Sequence, residues 1–310
     1  MGDAVFIEFL AASLRIATPL LLAALGGILS ERSGIFAVGL ESMMLSGAFA
    51  SVIVTWALGS IGMGMVASAL GGAAIAAIVA ITTTRFYTDQ MVTGLAVNIL
   101  AVGLTSFLLR GMVGQGEAPV IRVPILAPVP VPFLSDIPLL GPLIFQQPPL
   151  TYFALLLIIP AHLFLMRTRY GLTLRAVGEN PLAAFAMGAD PVRVRMAAVI
   201  AGGALAGLGG AVLALQQVGT FTDGMTNGRG YIALAAIIVG RWMPLGTLLG
   251  CILFGAADAL QIRVQGWGLP VSSYVIQMTP YAVALAVLAG LGRTARLPAA
   301  IGTAFTHERR

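Results

Sequence analysis

The sequence has 310 residues, of which 58% are hydrophobic and only 9% are charged. Soluble domains average about 25% charged residues, so this composition excludes an ordinary soluble protein. The chain contains no lysine, so its positive charges, and hence its net charge of +5, come from arginine. In a membrane protein such an excess indicates the orientation of the loops across the membrane rather than nucleic-acid binding. Apolar runs of about 20 residues recur from end to end, which predicts an all-α polytopic membrane protein.

The apolar runs predict about nine transmembrane segments, within a range of about eight to ten. They lie at residues 9–29, 35–58, 61–83, 90–110, 149–166, 196–217, 231–241, 244–262 and 270–290. Two arginine-rich regions, 167–195 and 291–310, should face the cytoplasm, because positively charged loops stay on that side. Counting back from them places Arg32 and Arg85 inside and the N-terminus outside.

The loop at residues 111–148 is rich in proline, in runs such as VPILAPVPVPF, and so cannot be helical across its whole length. It should lie on the outer side of the membrane. We interpret it as a proline-stiffened external connector; the alternative is a docking surface for an external partner.

One apolar run is too short to span a membrane as a helix. The ten residues Tyr231–Gly240 would cover about 15 Å, half of a hydrocarbon core of about 30 Å. The polar stretch before them is predicted to enter the membrane as irregular backbone, which leaves free N–H groups at the helix start for polar or anionic ligand atoms. A similar pattern at Ser33–Glu41 starts from the opposite side, which is the arrangement of an inverted repeat.

Few polar side chains lie within the apolar segments, and each has two interpretations. Glu41 is either a path-lining or repeat-locking group or the acceptor of structural hydrogen bonds. Asn98 is either packing glue between helices or a substrate contact. Asp258, near a segment end, is expected to be an interfacial charge.

Other polar residues lie at the ends of segments or between them. Gln216 and Gln217 are expected to be mostly solvated at the outer end of their helix. Asp223, Asn227 and Arg229 belong to the irregular stretch and are the polar groups that we expect nearest to a substrate.

No motif in the sequence indicates catalysis. There is no P-loop, no G-x-S-x-G, no H-E-x-x-H and no metal-ligand spacing, so we expect a protein that is not an enzyme and binds no cofactor or metal. A bundle with a broken helix and no catalytic constellation favours transport. A secondary transporter would need intramembrane ionisable groups, of which Glu41 is the main candidate. An ATP-driven permease would instead need a cytoplasmic structure that a separate ATPase can grip.

The cytoplasmic stretch 171–195 contains such a structure. Asn180 is a predicted N-cap, Pro181 a first helical residue and Gly188 a left-handed C-cap, which together predict a helix over Pro181–Met187 that stands alone between two loops. A helix that short is unstable by itself. Its apolar side chains have no obvious core to join, so a groove on a partner should bury them, with Phe185 as the anchor.

Four stretches, at residues 14–49, 93–103, 175–195 and 216–261, resemble a known family. They include LSERSGIFAVGLESMMLSGAF, TGLAVNILAVG, RAVGENPLAAFAMGAD and GTFTDGMTNGRGYIALAAIIVGRW, and together cover about half of the chain. The sequence is similar to ABC-transporter permeases of the branched-chain amino acid and simple-sugar importer group, and most of all to the shorter permease of nucleoside-type systems. It departs from many relatives at Phe36-Ala37-Val38, where we would expect an asparagine, so substrate detail carried by this turn is open.

The resemblance implies a single permease domain over 1–310, with a fold like that of vitamin-B12 importers. A first repeat at about 9–110 and a second at about 196–290 would flank the outer loop 111–148 and the coupling loop 167–195, with a cytoplasmic tail at 291–310. The broken helices would begin near Gly34 and Gly230 and would line the path. The predicted pathway residues are Gly34, Glu41, Asn98, Asn227, Arg229 and Gly230.

The resemblance also implies partners. These are a cytoplasmic ABC ATPase that carries ATP and Mg²⁺, a second, different permease and an external substrate-binding protein, with no nucleic acid. The expected function is ATP-driven import of nucleosides across the cell membrane by alternating access. The alternatives are a sugar or branched-chain amino acid permease, or an ion-coupled secondary transporter. The predicted ATPase-coupling residues are Gly178, Glu179, Asn180, Pro181, Leu182, Phe185 and Met187.

Overall fold

A computed structural model describes residues 2–113, 121–132, 134, 135, 137, 141–266, 275, 276, 278–291 and 296–305. Most of the described residues are helical. The α-helices are α1 (Gly2–Arg32), α2 (Leu40–Leu58), α3 (Ile61–Arg85), α4 (Gln90–Val113), α5 (Pro149–Arg167), α6 (Arg169–Glu179), α7 (Pro181–Ala186), α8 (Pro191–Ala211), α9 (Arg229–Val239), α10 (Pro244–Gly266) and α11 (Thr279–Leu291).

Within the described residues, seven helices are long and apolar enough to cross a membrane. They are Phe6–Arg32, Leu40–Leu58, Ile61–Arg85, Gln90–Met112, Pro149–Arg167, Pro191–Val218 and Pro244–Gly266. Two shorter apolar helices, Arg229–Val239 and Thr279–Gly290, lie where two further segments are predicted. Part of the predicted segment 270–290, at 270–274 and 277, lies outside the described residues. The prediction of a polytopic helical protein is confirmed at the level of these seven candidate spans.

Helices α1, α2, α3 and α8 meet through glycines. A Cβ on Gly202 of α8 would collide with the carbonyl of Gly26 in α1, and one on Gly207 would collide with the carbonyl of Ser68 in α3. Small residues let helix backbones approach this closely, which is how helices associate where lipid removes the usual hydrophobic driving force. The glycines of α8 thus allow these helices to pack closely.

The end of the bundle that carries the loop 121–147 is the loop end. There α8 continues as a π-helix, Val212–Val218, and the loop returns over it, with the N–H groups of Val123 and Leu126 donating to the carbonyls of Gly219 and Leu215 at 2.9 and 2.8 Å. Two short strands, β1 (Val129–Pro130) and β2 (Gln146–Gln147), pair antiparallel, and a π-helix covers Gly141–Phe145. The described loop is thus largely non-helical, as its prolines predict.

One expectation at the loop end is wrong. Gln216 is not solvated but 7% exposed, and its side chain donates to the Thr151 hydroxyl at 3.0 Å. Gln217 is half-buried and donates to the carbonyl of Arg15 in α1. Both amides therefore tie the π-helix to its neighbours, Gln216 to α5 and Gln217 to α1.

The opposite end of the bundle carries α7 and is the α7 end. The α1–α2 turn, the α9–α10 turn and the segment 296–305 all lie there: Arg32 donates to the carbonyl of Trp242 at 3.1 Å, and Arg195 donates to the carbonyl of Thr303 at 2.9 Å. The described parts of the two arginine-rich regions thus lie at the same end, as their predicted common side requires. The rest of the predicted tail, 292–295 and 306–310, lies outside the described residues.

Candidate functional site

Helix α9 begins against the first turn of α2. One carboxylate oxygen of Glu41 accepts from the N–H of Gly228 at 2.8 Å, and the other accepts from the N–H of Gly230 at 2.6 Å. With 11 residues, α9 is only about 16 Å long, as its sequence predicts. Residues 219–228 before it are non-helical, with left-handed backbone at Gly219, Gly224 and Gly228. An irregular stretch, buried only at Gly219, Phe221 and Thr226, thus leads into a half-length helix.

The prediction of free N–H groups at the start of α9 is wrong, because these groups have hydrogen-bond acceptors within the chain. The N–H of Arg229 donates to Thr226, those of Tyr231 and Ile232 both donate to Gly228, and that of Gly230 donates to Glu41. A helix N-terminus attracts negative charge because its dipole and its unpaired donors point outward. Here Glu41 supplies that charge from within the chain. The start of α9 therefore has no vacant donors for an anionic ligand.

Gly230 has to be glycine for this contact. A Cβ at its position would lie 2.5 Å from the backbone nitrogen of Glu41. Real Cβ contacts do not reach that distance, so any side chain would push α9 away from α2 and lengthen the hydrogen bonds to the carboxylate. The pairing of these two helix starts thus depends on both residues.

Asn98 joins three helices at the same point. Its side-chain oxygen accepts from the N–H of Ser42 in α2 at 3.0 Å. Its side-chain nitrogen donates to the carbonyl of Val38 at 3.2 Å and to the Tyr231 hydroxyl at 2.7 Å. Asn98 is 8% exposed. The start of α2 is thereby capped by an amide from α4, as that of α9 is capped by a carboxylate from α2.

Arg229 and Asp258 form an ion pair, with Nη2 and Oδ2 3.7 Å apart and side chains 27% and 16% exposed. The expectation that Asp258 is an interfacial charge is wrong, because its side chain is largely buried in this pair. The next charged residue of α10, Arg263, lies over the ring of Phe9, 5.4 Å from its centroid. Asp258 lies well inside α10, and only the fold shows that the irregular stretch brings Arg229 next to it.

A cavity of about 580 Å³ opens beside this ion pair. Tyr281 of α11 lines it and donates to the carbonyl of Asn227 at 3.0 Å. The lining offers amide, hydroxyl and aromatic groups together with one cation and one anion. Such a lining can hydrogen-bond an uncharged polar solute and stack against a planar one. The described lining residues are Asn227, Arg229, Ile232, Asp258, Gln261, Met278, Pro280 and Tyr281.

Gly34, the remaining predicted pathway residue, lies apart from this cluster, at the α7 end. Its φ of +95° is left-handed, which glycine adopts without strain. The broken helix predicted to begin near it begins only at Leu40. The backbone between them is bound by side chains instead: Gln90 accepts from the N–H of Phe36 at 2.7 Å, and Glu31 accepts from that of Ala37 at 3.3 Å.

The predicted short helix of the cytoplasmic stretch is present as α7. The Asn180 side chain caps it by accepting from the N–H of Ala183 at 3.0 Å, and Gly188 has a left-handed φ of +88° after its end. The expectation that it stands alone between two loops is wrong. Helix α6 ends at Glu179, so only Asn180 separates α6 from α7.

The apolar side chains of α7 are exposed to different degrees. Leu182 is 63% exposed and Met187 is 89% exposed. Phe185 is 41% exposed, and its ring lies 5.8 Å from that of Phe305. The expectation that these side chains lack any core to join is therefore wrong for Phe185, because the segment 296–305 covers one side of its ring.

The same segment connects the two predicted residue sets. Ala300 donates to the carbonyl of Gly178 at 2.9 Å, and a Cβ on Gly34 would lie 3.2 Å from the carbonyl oxygen of Ala300. A Cβ on Gly178 would lie 3.4 Å from the backbone nitrogen of Gly34. One predicted coupling residue and one predicted pathway residue are thus neighbours.

Sequence reasoning missed several residues that this geometry uses. Tyr231 and Tyr281 carry hydroxyls within apolar runs, where an aromatic residue gives no polar signal. Arg195 was assigned to the positive cytoplasmic cluster, although it is 2% exposed. For Asp258 the sequence does carry a signal. An acidic residue within an apolar segment needs a cationic partner, although the sequence does not say which one.

Comparison with known proteins identifies relatives over almost the whole chain. A family model described as branched-chain amino acid transport system / permease component matches residues 9–291. The chain is 36% identical to the guanosine ABC transporter permease protein NupQ of Bacillus subtilis strain 168, over 96% of both chains. It is 38% identical to the nucleoside ABC transporter permease protein NupC of Lactococcus lactis subsp. cremoris strain MG1363, over 88% of both chains. It is also 38% identical to a putative glucose ABC transporter permease protein of Haloferax volcanii, over 83% of this chain and 78% of the other.

Proposed function

The chain belongs to the branched-chain amino acid transport system / permease component family, and from this membership we propose that it is the permease subunit of an ATP-driven nucleoside importer. It is a multi-pass protein of the plasma membrane. Two of the relatives are named for guanosine or nucleoside transport and are similar over most of both chains.

The cavity beside Arg229 and Asp258 carries the proposal. Arg229 and Asp258 neutralise each other, and the Glu41 carboxylate accepts hydrogen bonds from backbone N–H groups at the start of α9. The described site therefore offers hydrogen bonds without an unpaired charge. A nucleoside is polar, uncharged and planar over its base, and these properties suit amide, hydroxyl and tyrosine groups. The described contacts of Glu41 are with backbone N–H groups, which supports its locking interpretation over that of an ion-coupling group.

The proposed mechanism is alternating access. Two ATPase subunits close on ATP and displace α7, and the rigid-body motion opens a path between this chain and a second permease. The pathway would run past Glu41, Asn98, Asn227, Arg229 and Gly230, while Gly34 would act at its inner end. The coupling surface would be Gly178–Pro181 with Leu182, Phe185 and Met187.

An inverted repeat with about nine spans and a fold like that of vitamin-B12 importers belongs to the same proposal. Its support is the way that α2 and α9 begin side by side and run apart. Phe49 of α2 packs on Phe221 near the loop end, with ring centroids 5.3 Å apart. Trp242, just after α9, reaches Arg32 at the α7 end. Two helices that start together and run in opposite directions are the geometry of inverted repeats.

The partners follow from the same family membership. ABC permease components work with an ATPase and a substrate-binding protein, and we propose that ATP and Mg²⁺ bind to the ATPase and not to this chain. We further propose a heterodimer, in which a second and different permease covers the path from the other side.

The test is transport by the whole complex in proteoliposomes. This chain, the second permease, the ATPase and the binding protein are reconstituted, and uptake of radiolabelled guanosine, adenosine, glucose and leucine is measured with ATP. We expect nucleoside uptake that requires ATP hydrolysis. Nucleoside uptake that persists after the ATPase is removed would contradict the mechanism and favour an ion-coupled transporter.

A sugar importer is the second candidate, because one relative is named as a putative glucose permease. The same uptake experiment separates the two, since glucose uptake without nucleoside uptake identifies the sugar importer. Leucine uptake would identify the third alternative, a branched-chain amino acid importer.

A further inference from the structure

Three separate parts of the chain meet at the α7 end. They are the turn at Ser33–Gly34 after α1, the end of α6 at Gly178–Glu179, and the segment 296–305, which we name the latch. The latch follows the last apolar helix in sequence, yet it lies between α7 and the turn that leads to α2. Its position connects α7 to the turn before α2 through non-covalent contacts, independently of the chain that joins these elements.

The side chain of Arg195, near the start of α8, holds the latch and the turn together. Its Nε donates to the carbonyl of Ser33 at 3.1 Å. Its Nη1 and Nη2 donate to the carbonyls of Thr303 and Ala300 at 2.9 and 3.5 Å. A buried charge is costly unless hydrogen bonds replace its hydration. Since Arg195 is 2% exposed, these carbonyls have to stay in place around the guanidinium.

The other side of the latch holds α6 and α7. The N–H of Ala300 donates to the carbonyl of Gly178 at 2.9 Å, and that of Ala299 donates to the Glu179 carboxylate at 3.4 Å. Phe305, 8% exposed, lies against Phe185 of α7. A shift of α7 therefore displaces the latch.

The junction has little room to absorb such a shift. A Cβ on Gly34 would lie 2.7 Å from Nη2 of Arg195, and a Cβ on Gly178 would collide with the carbonyl of Arg32. Packed groups transmit displacement because they cannot deform continuously. The contacts thus run from Phe185 to Phe305, along the latch to Thr303, and through Arg195 to Ser33, at the start of the irregular stretch that leads to α2.

We propose that Arg195 is a positioning residue that transmits the displacement of α7 to the Ser33–Gly39 stretch, and so to the start of α2. This inference rests on the proposed function, because it takes α7 as the element that the ATPase moves. It adds the latch and Arg195 to the coupling apparatus. It also separates gripping the ATPase, which α7 does, from transmitting its motion, which Arg195 does.

The test compares Arg195→Gln with Arg193→Gln in the whole complex. Arg193 lies on the same helix two residues earlier, with its side chain 88% exposed and paired with Asp190 at 3.0 Å. The measured quantity is the number of ATP molecules hydrolysed per substrate molecule imported. Because Gln cannot make all three hydrogen bonds to Ser33, Thr303 and Ala300, we expect Arg195→Gln to raise this ratio about tenfold or more. Arg193→Gln should leave it unchanged, and ATPase association should persist in both variants.

Two further variants keep the test decisive. Arg195→Lys retains the charge but not the three-way geometry, so the ratio should lie between those of the wild type and Arg195→Gln. Phe305→Ala leaves Arg195 intact and removes the contact with Phe185, so it should also raise the ratio. If Arg195→Gln does not assemble, Phe305→Ala decides the question, and an unchanged ratio overturns the inference.

The outcomes separate transmission from plain stability. Equal losses of ATP hydrolysis and uptake in Arg195→Gln would mark a structural residue and overturn the inference. Unchanged values for both would also overturn it. If the wild-type complex imports nothing with ATP, the proposed function itself fails, a result that is visible before any variant is compared.

Discussion

The carboxylate of Glu41 in α2 accepts a hydrogen bond of 2.6 Å from the backbone N–H of Gly230 in the first turn of α9. Its second oxygen accepts from Gly228 at 2.8 Å. Glu41 and Gly230 are 189 positions apart in sequence. One side chain of α2 thus caps α9, so the two helix starts are held together and any motion that separates them has to break charge-assisted bonds.

Glu41→Gln is expected to weaken this joint. An amide oxygen can still accept from one N–H group, but the charge is lost and the amide nitrogen faces a donor. We expect the free energy of unfolding to fall by about 1.5–3 kcal/mol, the range for hydrogen bonds to charged groups. Thermal unfolding in detergent measures it. Glu8→Gln, an exposed position in α1, is the control and should change nothing.

Gly230→Ala is expected to separate α9 from α2. The added Cβ would lie 2.5 Å from the nitrogen of Glu41, and overpacking of this kind costs about 1–3 kcal/mol. Gly103→Ala in α4 is the matched control, because no heavy atom lies within 4 Å of its Cβ position. The same unfolding measurement checks both. Equal stability of the two variants would mean that α9 and α2 can move apart at little cost, which would contradict the prediction.

The Arg229–Asp258 pair should show energetic coupling. In a double-mutant cycle of Arg229→Gln and Asp258→Asn, we expect a coupling energy of about 0.5–3 kcal/mol, because each side chain is largely buried. Arg110–Asp223 has the same 3.7 Å separation but side chains 71% and 45% exposed, so its cycle should give about 0.2–1 kcal/mol. A larger coupling for the exposed pair would contradict the role of burial.

Asn180→Ala should destabilise α7. The Asn180 side chain accepts from Ala183, and loss of an N-cap costs about 0.5–2 kcal/mol, which matters in a helix of six residues. Hydrogen exchange of the α7 amides should become faster. Asn180→Ser keeps a capping oxygen and should retain most of the protection. If both variants exchange alike, the cap does not set the stability of α7.

Phe185→Asp should abolish association with the ATPase while membrane insertion remains intact. Because Phe185 also lies against Phe305, this variant disturbs the latch too. Met187→Asp places the charge at an 89% exposed side chain and so tests docking with less disturbance of the fold. Co-purification of the complex is the measurement, with Met187→Leu as the apolar control. A complex that still purifies whole with Met187→Asp argues against docking through this end of α7.

Local signals carried much of the prediction. Asn180, Pro181 and Gly188 define α7 because capping depends on residues near in sequence, and the ten-residue length of the apolar run correctly predicted a half-length α9. Contacts between distant parts of the chain could not be read in this way. The sequence shows that Glu41 needs a partner, but not that the partner is the backbone of Gly228 and Gly230.

The errors have the same origin. Asp258 and Gln216 were expected near water because they lie toward the ends of apolar runs. The irregular stretch brings Arg229 to Asp258, and α5 brings Thr151 to Gln216. The burial of Arg195 could not be predicted, because charge in a sequence indicates a side of the membrane and not a depth. Its burial depends on the latch, which follows it by about 100 residues.

The latch also bears on the order of biosynthesis. Its residues leave the ribosome after every described span has been made, and chains fold largely from the N-terminus during synthesis. Until the latch is complete, Arg195 lacks two of its carbonyl partners and Phe185 lacks the ring of Phe305. A nascent chain could therefore insert all these helices while the α7 end is still unfinished. The chain would then complete the proposed ATPase-docking surface only late in synthesis, so premature engagement with an ATPase would be disfavoured.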